Sequence, residues 1–317
     1  DAQKLKMLPR GVWAPKDCEV DDSGGIVGER PPKIQSGFHL NVLYSPTISF
    51  GQVAAKWLSC VGDRGALHNF LNLYLALPFK EEVETVSEKR ILAAKRPYRR
   101  GTIPAAARLV TCGVDVQLNH FWFAARAWGS QEKSWLVDAG RLEAWTDVTR
   151  LLRSSWPGDG GTARGIDLML VDSGYKPQEV YDWCGKHMPH ARSTKGSNNP
   201  GLLATLRQSC PQPGKLLWTF KANHFKDKLA NLINSRPEVA DNGTETGEWW
   251  GEWCIYDSGD DDYLKHMQSE RRRWVRQGGR RYCTWEALTD KTPNHLWDCE
   301  VLNVVAAEMR GVRFLGL

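Results

Sequence analysis

The pattern of apolar positions changes character near residue 104, which divides the chain into two predicted regions. Between residues 49 and 77 apolar side chains recur at helical spacing with one break, which predicts two helices. Residues 1–36 are rich in proline and turn residues, and residues 78–103 lose the periodicity and become basic, which is typical of a solvated linker. We therefore predict an irregular, partly helical N-terminal connecting arm over residues 1–103 and a globular domain over residues 104–317.

Strand and helix patterns alternate in the second region. Three runs rich in Val, Phe and Trp predict an antiparallel meander, and the apolar run 166–171 predicts a buried parallel strand. The meander runs are 109–116, 120–128 and 133–137; helices are predicted at 144–154, 177–186, 224–234 and 296–309, and further strands at 215–220 and 253–256. This order predicts an α/β fold with a mixed sheet.

Composition narrows the class of protein. The chain has 317 residues, and its hydrophobic content of 41% is sufficient for a substantial core. The formal net charge of +5 is too small to establish a polyanionic partner by itself. No apolar run approaches the roughly 18 to 20 residues of a membrane helix, so we expect no membrane partner. The eight cysteines have no CxxC spacing, which argues against a zinc ribbon and favours reduced, packed cysteines in a cytosolic compartment.

Three carboxylates fall at positions where chemistry is expected. Asp115 lies inside the first strand, Asp172 ends the parallel strand, and Asp298 begins the last helix. A charge in a buried strand is costly unless a cation compensates it, and converging carboxylates form a site suited to Mg²⁺ or Mn²⁺. The structural alternatives are a strand-end cap, a turn-initiating aspartate and a helix N-cap, respectively. Helical spacing places Glu300 on a different face of the last helix from Asp298, so we expect Glu300 to be solvated.

A basic, aromatic-containing segment is the candidate nucleic-acid-binding element. Residues 271–282 have two basic arms around a Gln-Gly-Gly turn, which predicts a β-hairpin. Its composition suits phosphate and base contact, although a solvated hairpin balancing the acidic stretch 237–263 is the alternative. The predicted DNA-binding residues are Arg271, Arg272, Arg273, Arg276, Arg280 and Arg281 of the hairpin, with Lys195 in a polar loop and Lys226 at a helix start.

Rival catalytic signatures are weak. There is no GxxxxGK[ST] phosphate loop, so this chain by itself is not expected to hydrolyse ATP. No Asp or Glu is followed at i+2 by Lys, which removes the carboxylate-x-Lys ending of restriction-type nuclease sites. Asn-His pairs occur at 119–120, 223–224 and 294–295, but they fall on elements of different type, so we interpret them as chance rather than as an HNH nuclease.

The order of several short motifs resembles the large subunit of tailed-phage terminases, in its lambda-like GpA branch. The motifs run over nearly the whole chain, which makes the resemblance more specific than any one of them. They are Phe38-His39-Leu40-Asn41-Val42-Leu43-Tyr44-Ser45-Pro46, Phe70-Leu71-Asn72, Leu77-Pro78-Phe79, Gly113-Val114-Asp115-Val116-Gln117, Asp172-Ser173-Gly174-Tyr175, Lys195-Gly196, Gln268-Ser269-Glu270 and Asn294-His295-Leu296-Trp297-Asp298-Cys299.

The resemblance implies a fold, an activity and partners. The expected fold is an RNase H-like mixed sheet flanked by helices. The expected activity is endonucleolytic cutting of concatemeric double-stranded viral DNA with two Mg²⁺ or Mn²⁺ ions, Asp115 bridging them and Asp172 and Asp298 each completing one side. The expected partners are an upstream packaging ATPase domain of the same polypeptide, the small terminase subunit and the portal of the procapsid, in the cytoplasm of the bacterial host. The chain would then be the C-terminal portion of a longer motor protein.

Two alternatives and one departure accompany this expectation. The chain could be another RNase H-like nuclease, such as a transposase or resolvase, or a DNA-holding or procapsid-docking module without catalysis. Where several relatives in the family carry Asn-Glu, this chain has Asn294-His295. The departure concerns the outer shell of the metal site more than its three main ligands.

Overall fold

The computed structural model describes most of the chain, in two compact units at 1–82 and 83–317. The described residues are 2–15, 18–28, 38–60, 64–77, 86–158, 161–199, 204–234, 238–239, 245–246, 251–257, 261–277, 280–289 and 292–316. About half of the acidic stretch 237–263 and the two glycines of the predicted hairpin turn lie outside the described residues.

The first unit is small and mostly helical. Its elements are α1 Ala2–Met7, β1 Glu19–Val20, β2 Ile26–Val27, α2 Phe50–Leu58 and α3 Arg64–Asn69, with a π-helical turn Phe70–Tyr74 after α3. Ser49 and Gln52 form a reciprocal capping box at the start of α2, which satisfies two backbone N–H groups of its first turn. Val53, Cys60 and Phe70 form the buried core of this unit. The two helices predicted between residues 49 and 77 are confirmed.

The second unit contains the remaining elements. Its strands are β3 Lys95–Arg96, β4 Leu109–Val116, β5 Phe121–Trp128, β6 Ser134–Leu142, β7 Ser155–Trp156, β8 Arg164–Gly165, β9 Leu168–Asp172, β10 Ala191–Ser197, β11 Leu206–Gln212, β12 Lys215–Lys221, β13 Glu238–Val239, β14 Glu245–Thr246, β15 Trp253–Tyr256, β16 Glu270–Gln277 and β17 Arg280–Ala287. Its helices are α4 Glu88–Leu92, α5 Trp145–Leu152, α6 Pro177–Lys186, α7 Ala222–Asn234, α8 Asp261–Met267 and α9 His295–Met309.

Nine of these strands form one mixed sheet in the order β11-β12-β10-β9-β4-β5-β6-β15-β3. Strands β4, β5 and β6 are the predicted antiparallel meander, and β9, β10 and β12 run parallel to β4. The predicted α/β class is therefore confirmed. The sheet is mixed and flanked by helices, as the resemblance implied.

Helices cover both faces of the sheet and divide its core into two layers. Leu168 and Leu170 of β9 face the layer that contains α7 and α9, whereas Met169 and Val171 face the layer that contains α5 and α6. This alternation follows from the two-residue period of a strand. Helix α9 is buried on almost every side, so it lies inside the unit rather than on its surface.

A buried ion pair connects α9 to the meander and corrects the expectation that Glu300 is solvated. Glu300 and Arg126 are both fully buried, with Arg126 Nε 2.7 Å from Glu300 Oε2 and Nη2 2.9 Å from Oε1. The hydroxyl of Tyr263 also donates to Glu300, at 2.7 Å. The expectation was wrong because a buried charge is stabilised by partners from distant elements, which helical spacing does not reveal.

Two other expectations differ from the structure. The basic segment after residue 78 was interpreted as a solvated linker, but Ile91 and Ala94 are buried and β3 pairs in parallel with β15. Within the described residues, 86–103 thus belong to the sheet unit. Lys195 was expected in a polar loop, but it lies in β10, which pairs with strands on both sides. Among the described residues no helix is both long and apolar enough to cross a membrane.

Candidate active site

The three predicted carboxylates lie together at one end of the sheet. Val114 of β4 pairs with Val171 of β9 in parallel register, so Asp115 and Asp172 follow side by side at the carboxyl ends of the two strands. Strand alternation directs both side chains toward the α9 layer, and Asp298 lies in the first turn of α9. Three elements that are distant in sequence therefore bring one carboxylate each to the same place.

A glycine allows the helix to approach this closely. A β-carbon on Gly113 would lie 2.1 Å from the carbonyl oxygen of Cys299 and 2.8 Å from Cβ of Leu302, both in α9. Contacts of that length are sterically forbidden, so only glycine fits beneath the helix at this distance. This contact fixes the position of Asp115, which lies near Gly113 on the strand, and of Asp298, which precedes Cys299 on the helix.

Burial and mutual repulsion perturb two of the carboxyl groups. Burial, together with the charge of Asp115, raises the pKa of Asp172 to about 6, although the backbone N–H of Gly174 donates to Asp172 Oδ2 at 3.0 Å and opposes the shift. Burial also raises the pKa of Asp298 to about 7 against the attraction of Lys226, with Glu270 and Asp115 adding to the rise. The site therefore concentrates more negative charge than its own surroundings neutralise.

Lys226 is the internal cation of the site. Its ammonium nitrogen lies 2.7 Å from both carboxylate oxygens of Glu270 and 3.4 Å from Asp298 Oδ1. Asn294 donates to the same two carboxylates, at 3.0 Å each. The prediction that Lys226 contacts DNA phosphate does not fit this geometry, because two carboxylates inside the site already hold the ammonium group.

Asp115 is held by two donors on one oxygen. Gln117 Nε2 donates to Asp115 Oδ2 at 2.7 Å, and His295 Nδ1 lies 2.8 Å from the same atom. The side chain of Asp115 is almost fully buried. Sequence reasoning missed Gln117 and Glu270 as parts of the site, although each stands in one of the short motifs that carry the resemblance, and it named His295 only as a departure that concerns the outer shell.

The basic hairpin emerges from the site. Glu270, the first residue of β16, belongs to the carboxylate cluster, and β16 pairs with β17 in the predicted antiparallel hairpin. Arg271 and Arg273 are exposed and both pair with Glu286, at 2.9 and 3.1 Å. The side chains of Arg276, Arg280 and Arg281 lie outside what the structure describes.

Arg272 differs from its neighbours on the hairpin. Its side chain is only 11% exposed, and it makes a bidentate pair with Asp227 of α7, at 2.8 and 3.1 Å. The indole Nε1 of Trp285 donates to the same carboxylate at 2.8 Å. The prediction that Arg272 contacts DNA therefore needs correction: its charge is used to attach the hairpin to α7.

Lys195 lies beside the second carboxylate. Thr194 pairs with Asp172 across β10 and β9, so Lys195 follows directly at the same end of the sheet. Lys195 is exposed, and its charge opposes the rise in the pKa of Asp172. An exposed cation next to the carboxylate cluster remains a candidate phosphate contact.

The donor set fits a hard divalent cation. Asp115, Asp172 and Asp298 offer carboxylate oxygens, the ligands that Mg²⁺ and Mn²⁺ prefer, and no thiolate stands among them. Burial raises the pKa of Asp172 and of Asp298, and the charge of Asp115 adds to both shifts, so a bound cation would stabilise the charged carboxylates. In the part of the chain that the structure describes, no three carboxylate, imidazole or thiol groups are already arranged as a metal centre.

Comparison with known proteins assigns the chain to a family. Residues 35–315 match the family model described as terminase large subunit gpA, endonuclease domain. The chain is 22% identical over 306 residues to the terminase large subunit of Escherichia phage lambda, and 30% identical over 244 residues to that of Enterobacteria phage P21. These alignments cover 93% and 74% of this chain but only 47% and 38% of the relatives.

A solved structure is also similar. It is a mutant nuclease domain of the large terminase subunit gp2 of bacterial virus Sf6 with manganese, with a TM-score of 0.45 and 12% sequence identity. The match covers 70% of this chain and 99% of that domain.

Proposed function

The chain belongs to the family of terminase large subunit gpA endonuclease domains, and we propose that it cuts double-stranded DNA with Mg²⁺ or Mn²⁺ bound by Asp115, Asp172 and Asp298. The proposed substrate is concatemeric phage DNA during genome packaging. The reaction is hydrolysis of a phosphodiester bond, as expected of an endonuclease.

One observation carries the proposal: three buried or half-buried carboxylates from β4, β9 and α9 meet at the carboxyl ends of parallel strands. Open α/β sheets place their ligands at this end. Structural carboxylates in a core are normally paired, whereas here burial, with the charge of Asp115 adding to it, raises the pKa of both Asp172 and Asp298.

The residues of the chain have separable roles in this proposal. When bound, a pair of divalent ions supplies positive charge for the attacking and leaving oxygens of the phosphodiester. Asp115, whose charge acts on both other aspartates, would hold the ions together with Asp172 and Asp298. Lys226 reduces the repulsion between Asp298 and Glu270 while no cation is bound.

DNA is proposed to lie along the hairpin and across the site. Arg271 and Arg273 are exposed cations on β16, which starts in the carboxylate cluster, and Lys195 is an exposed cation beside Asp172. Positive charge on two sides of the carboxylates would hold the phosphate backbone against their repulsion. Arg276, Arg280 and Arg281 remain predicted DNA contacts, whereas Arg272 and Lys226 are reassigned to the protein's own ion pairs.

The remaining partners follow from the relatives. The chain spans about half or less of the length of the terminase large subunits to which it is similar. We propose that it acts together with a packaging ATPase domain of the same polypeptide, with the small terminase subunit and with the portal of the procapsid. The proposed location is the cytoplasm of the bacterial host.

Cleavage of supercoiled plasmid tests the proposal. The wild-type chain, Asp172→Asn and Asp262→Asn would be compared with Mn²⁺, Mg²⁺ or EDTA; Asp262 is a matched control because it is 72% exposed and pairs with Lys265 in the same α8 turn. We expect metal-dependent nicking and linearisation by the wild type and the control, and none by Asp172→Asn.

Other outcomes count against the proposal in different ways. Equal residual cutting by wild type and Asp172→Asn would indicate a contaminant and a catalytic centre elsewhere. Absence of cutting by all three proteins, with DNA still bound, would favour a DNA-holding module.

A further inference from the structure

A histidine at the first position of α9 bridges the strand and helix that carry the site. His295 Nδ1 lies 2.8 Å from Oδ2 of Asp115, and His295 stands one helical turn before Asp298 on α9. Residues three apart lie on the same helix face. The first turn of α9 therefore carries both Asp298, which belongs to the site, and His295, which contacts Asp115 of β4.

The imidazole plane is fixed by a tryptophan. Trp122 of β5 is the cross-strand partner of Asp115, and its ring stacks on His295 with centroids 5.8 Å apart and planes 10° apart. Trp122 is fixed in turn: its Nε1 donates to Nε2 of His120 at 3.2 Å, and the Cys299 thiol donates to its carbonyl at 3.3 Å. His295 has little freedom to turn away from Asp115.

The two hydrogen bonds hold Asp115 through one of its two carboxylate oxygens. Gln117 and His295 both contact Oδ2, and none of the hydrogen bonds between described residues ends on Oδ1. A carboxylate held through one oxygen presents the other in a fixed direction. Partners that orient a ligating carboxylate in this way govern metal affinity although they do not touch the metal.

We infer that His295 is a positioning residue that orients Asp115 for divalent-cation binding, acting through its Nδ1–H and through stacking on Trp122. The inference rests on the proposed function, because it assigns Asp115 to the cation site. Two of the Asn-His pairs that were interpreted as chance also meet here: the rings of His120 and His295 are 6.4 Å apart, and both contact the Trp122 indole.

Three substitutions separate the hydrogen bond from the ring. His295→Ala removes both, His295→Phe keeps a ring against Trp122 but has no donor, and His295→Asn keeps an N–H at the same distance along the side chain as Nδ1. His190→Ala is the matched control, because it removes an exposed imidazole from the turn before β10. Mn²⁺ affinity would be measured by calorimetry without DNA, together with melting temperature and DNA affinity in EDTA.

The expected result is a selective loss of Mn²⁺ affinity. His295→Ala and His295→Phe should weaken Mn²⁺ binding by about 10- to 100-fold, the usual effect of removing an outer partner of a metal ligand, while His295→Asn, which keeps the donor but not the ring, should lose less and His190→Ala should stay close to wild type. DNA affinity in EDTA should not change in any of them.

Two results would overturn the inference and one would overturn its premise. Wild-type Mn²⁺ affinity in both His295→Ala and His295→Phe would exclude the positioning role. An equal loss in His295→Asn, accompanied by lower melting temperature and DNA affinity, would show that His295 is merely structural. A wild-type chain that neither binds Mn²⁺ nor cuts DNA would refute the proposed function itself.

Discussion

The carbonyl oxygen of Cys299 in α9 lies directly over Gly113 of β4, where a β-carbon would be only 2.1 Å away. The strand and the helix that carry Asp115 and Asp298 are thus in backbone contact. Gly113→Ala should force α9 outward, because the clash is with backbone that cannot rotate away. We expect a loss of about 1 to 3 kcal/mol in unfolding free energy and a larger loss of DNA cleavage than the stability change explains.

Gly185→Ala is the control for this substitution. Gly185 lies near the end of α6, and a β-carbon there would have no neighbour within 4 Å. Alanine should stabilise this helix by up to about 1 kcal/mol. Urea unfolding of both variants, with cleavage assays on the folded proteins, checks the pair; full activity in Gly113→Ala would show that helix placement is not critical.

Divalent cations should stabilise the folded protein. Because the charges of Asp115, Asp172 and Asp298 lie close together, a bound cation relieves their repulsion, and ligand binding to the folded state alone adds about 2.7 kcal/mol at 100 times the dissociation constant. Saturating Mn²⁺ should therefore raise the melting temperature of the wild type and have little effect on Asp172→Asn. A melting curve unchanged by Mn²⁺ in the wild type would contradict the site assignment.

Acidification should stabilise the metal-free site. The pKa of Asp172 is raised from 3.8 to about 6 in the folded protein, so folding favours its protonated form. Its contribution to stability is present below pH 4 and is lost as the pH rises through 6. In EDTA, Asp172→Asn should exceed the wild type in unfolding free energy by up to about 3 kcal/mol at pH 8, and by less at pH 5.

Urea titrations of both proteins across this pH range provide the measurement. An equal difference in unfolding free energy at pH 5 and pH 8 would show that the surroundings of Asp172 do not raise its pKa.

Breaking the buried pair between Arg126 and Glu300 should be costly. Glu300→Gln leaves the Arg126 guanidinium buried without a compensating charge, which typically costs about 3 to 5 kcal/mol. The double variant Arg126→Met with Glu300→Leu should lose less than the single one. Asp262→Ala, which breaks an exposed pair with Lys265, should change stability by about 0 to 1 kcal/mol. A mild Glu300→Gln phenotype in denaturant melts would argue against this ion pair.

The hairpin should contribute to the salt dependence of DNA binding. Neutralising Arg271, Arg273 and Arg276 should weaken binding and reduce the slope of log K against log salt by about 0.9 for each phosphate that is no longer neutralised. Arg150→Ala on α5, which is 78% exposed in its side chain, should leave the slope unchanged. Arg272→Ala should lower stability instead, since Arg272 holds Asp227. An unchanged slope in the triple variant would exclude the hairpin as the DNA-binding element.

Local sequence patterns predicted the main elements of the fold because those patterns reflect burial by a neighbouring layer. The strand at residues 168–172 was apolar on both faces, and helix α6 begins at Pro177 as expected for proline in a first turn. Strand β10 escaped prediction because its sequence, Ala191–Ser197, is largely polar and is stabilised by pairing on both sides.

The residues of the site also divide into those that local sequence patterns predict and those that they do not. The three aspartates could be predicted because each interrupts an apolar pattern at a strand end or helix start. His295, Glu270 and the pairing of Arg126 with Glu300 depend on contacts between residues far apart in sequence, for which spacing along one element gives no signal. The partners of a buried charged side chain can be identified only when the order of strands in the sheet is known.

The burial of α9 on nearly every side has a consequence for local stability. Such a helix cannot separate from the sheet without exposing both the core and the Arg126–Glu300 pair, so its amide hydrogens should exchange only through global unfolding. Asp298 and His295 are carried by this buried helix, whereas β16 and β17 contact α7 through the Arg272 and Trp285 side chains. We therefore expect the hairpin to change conformation when DNA binds. Its amide hydrogens should exchange fast in the free protein and more slowly in the complex, whereas α9 should not move.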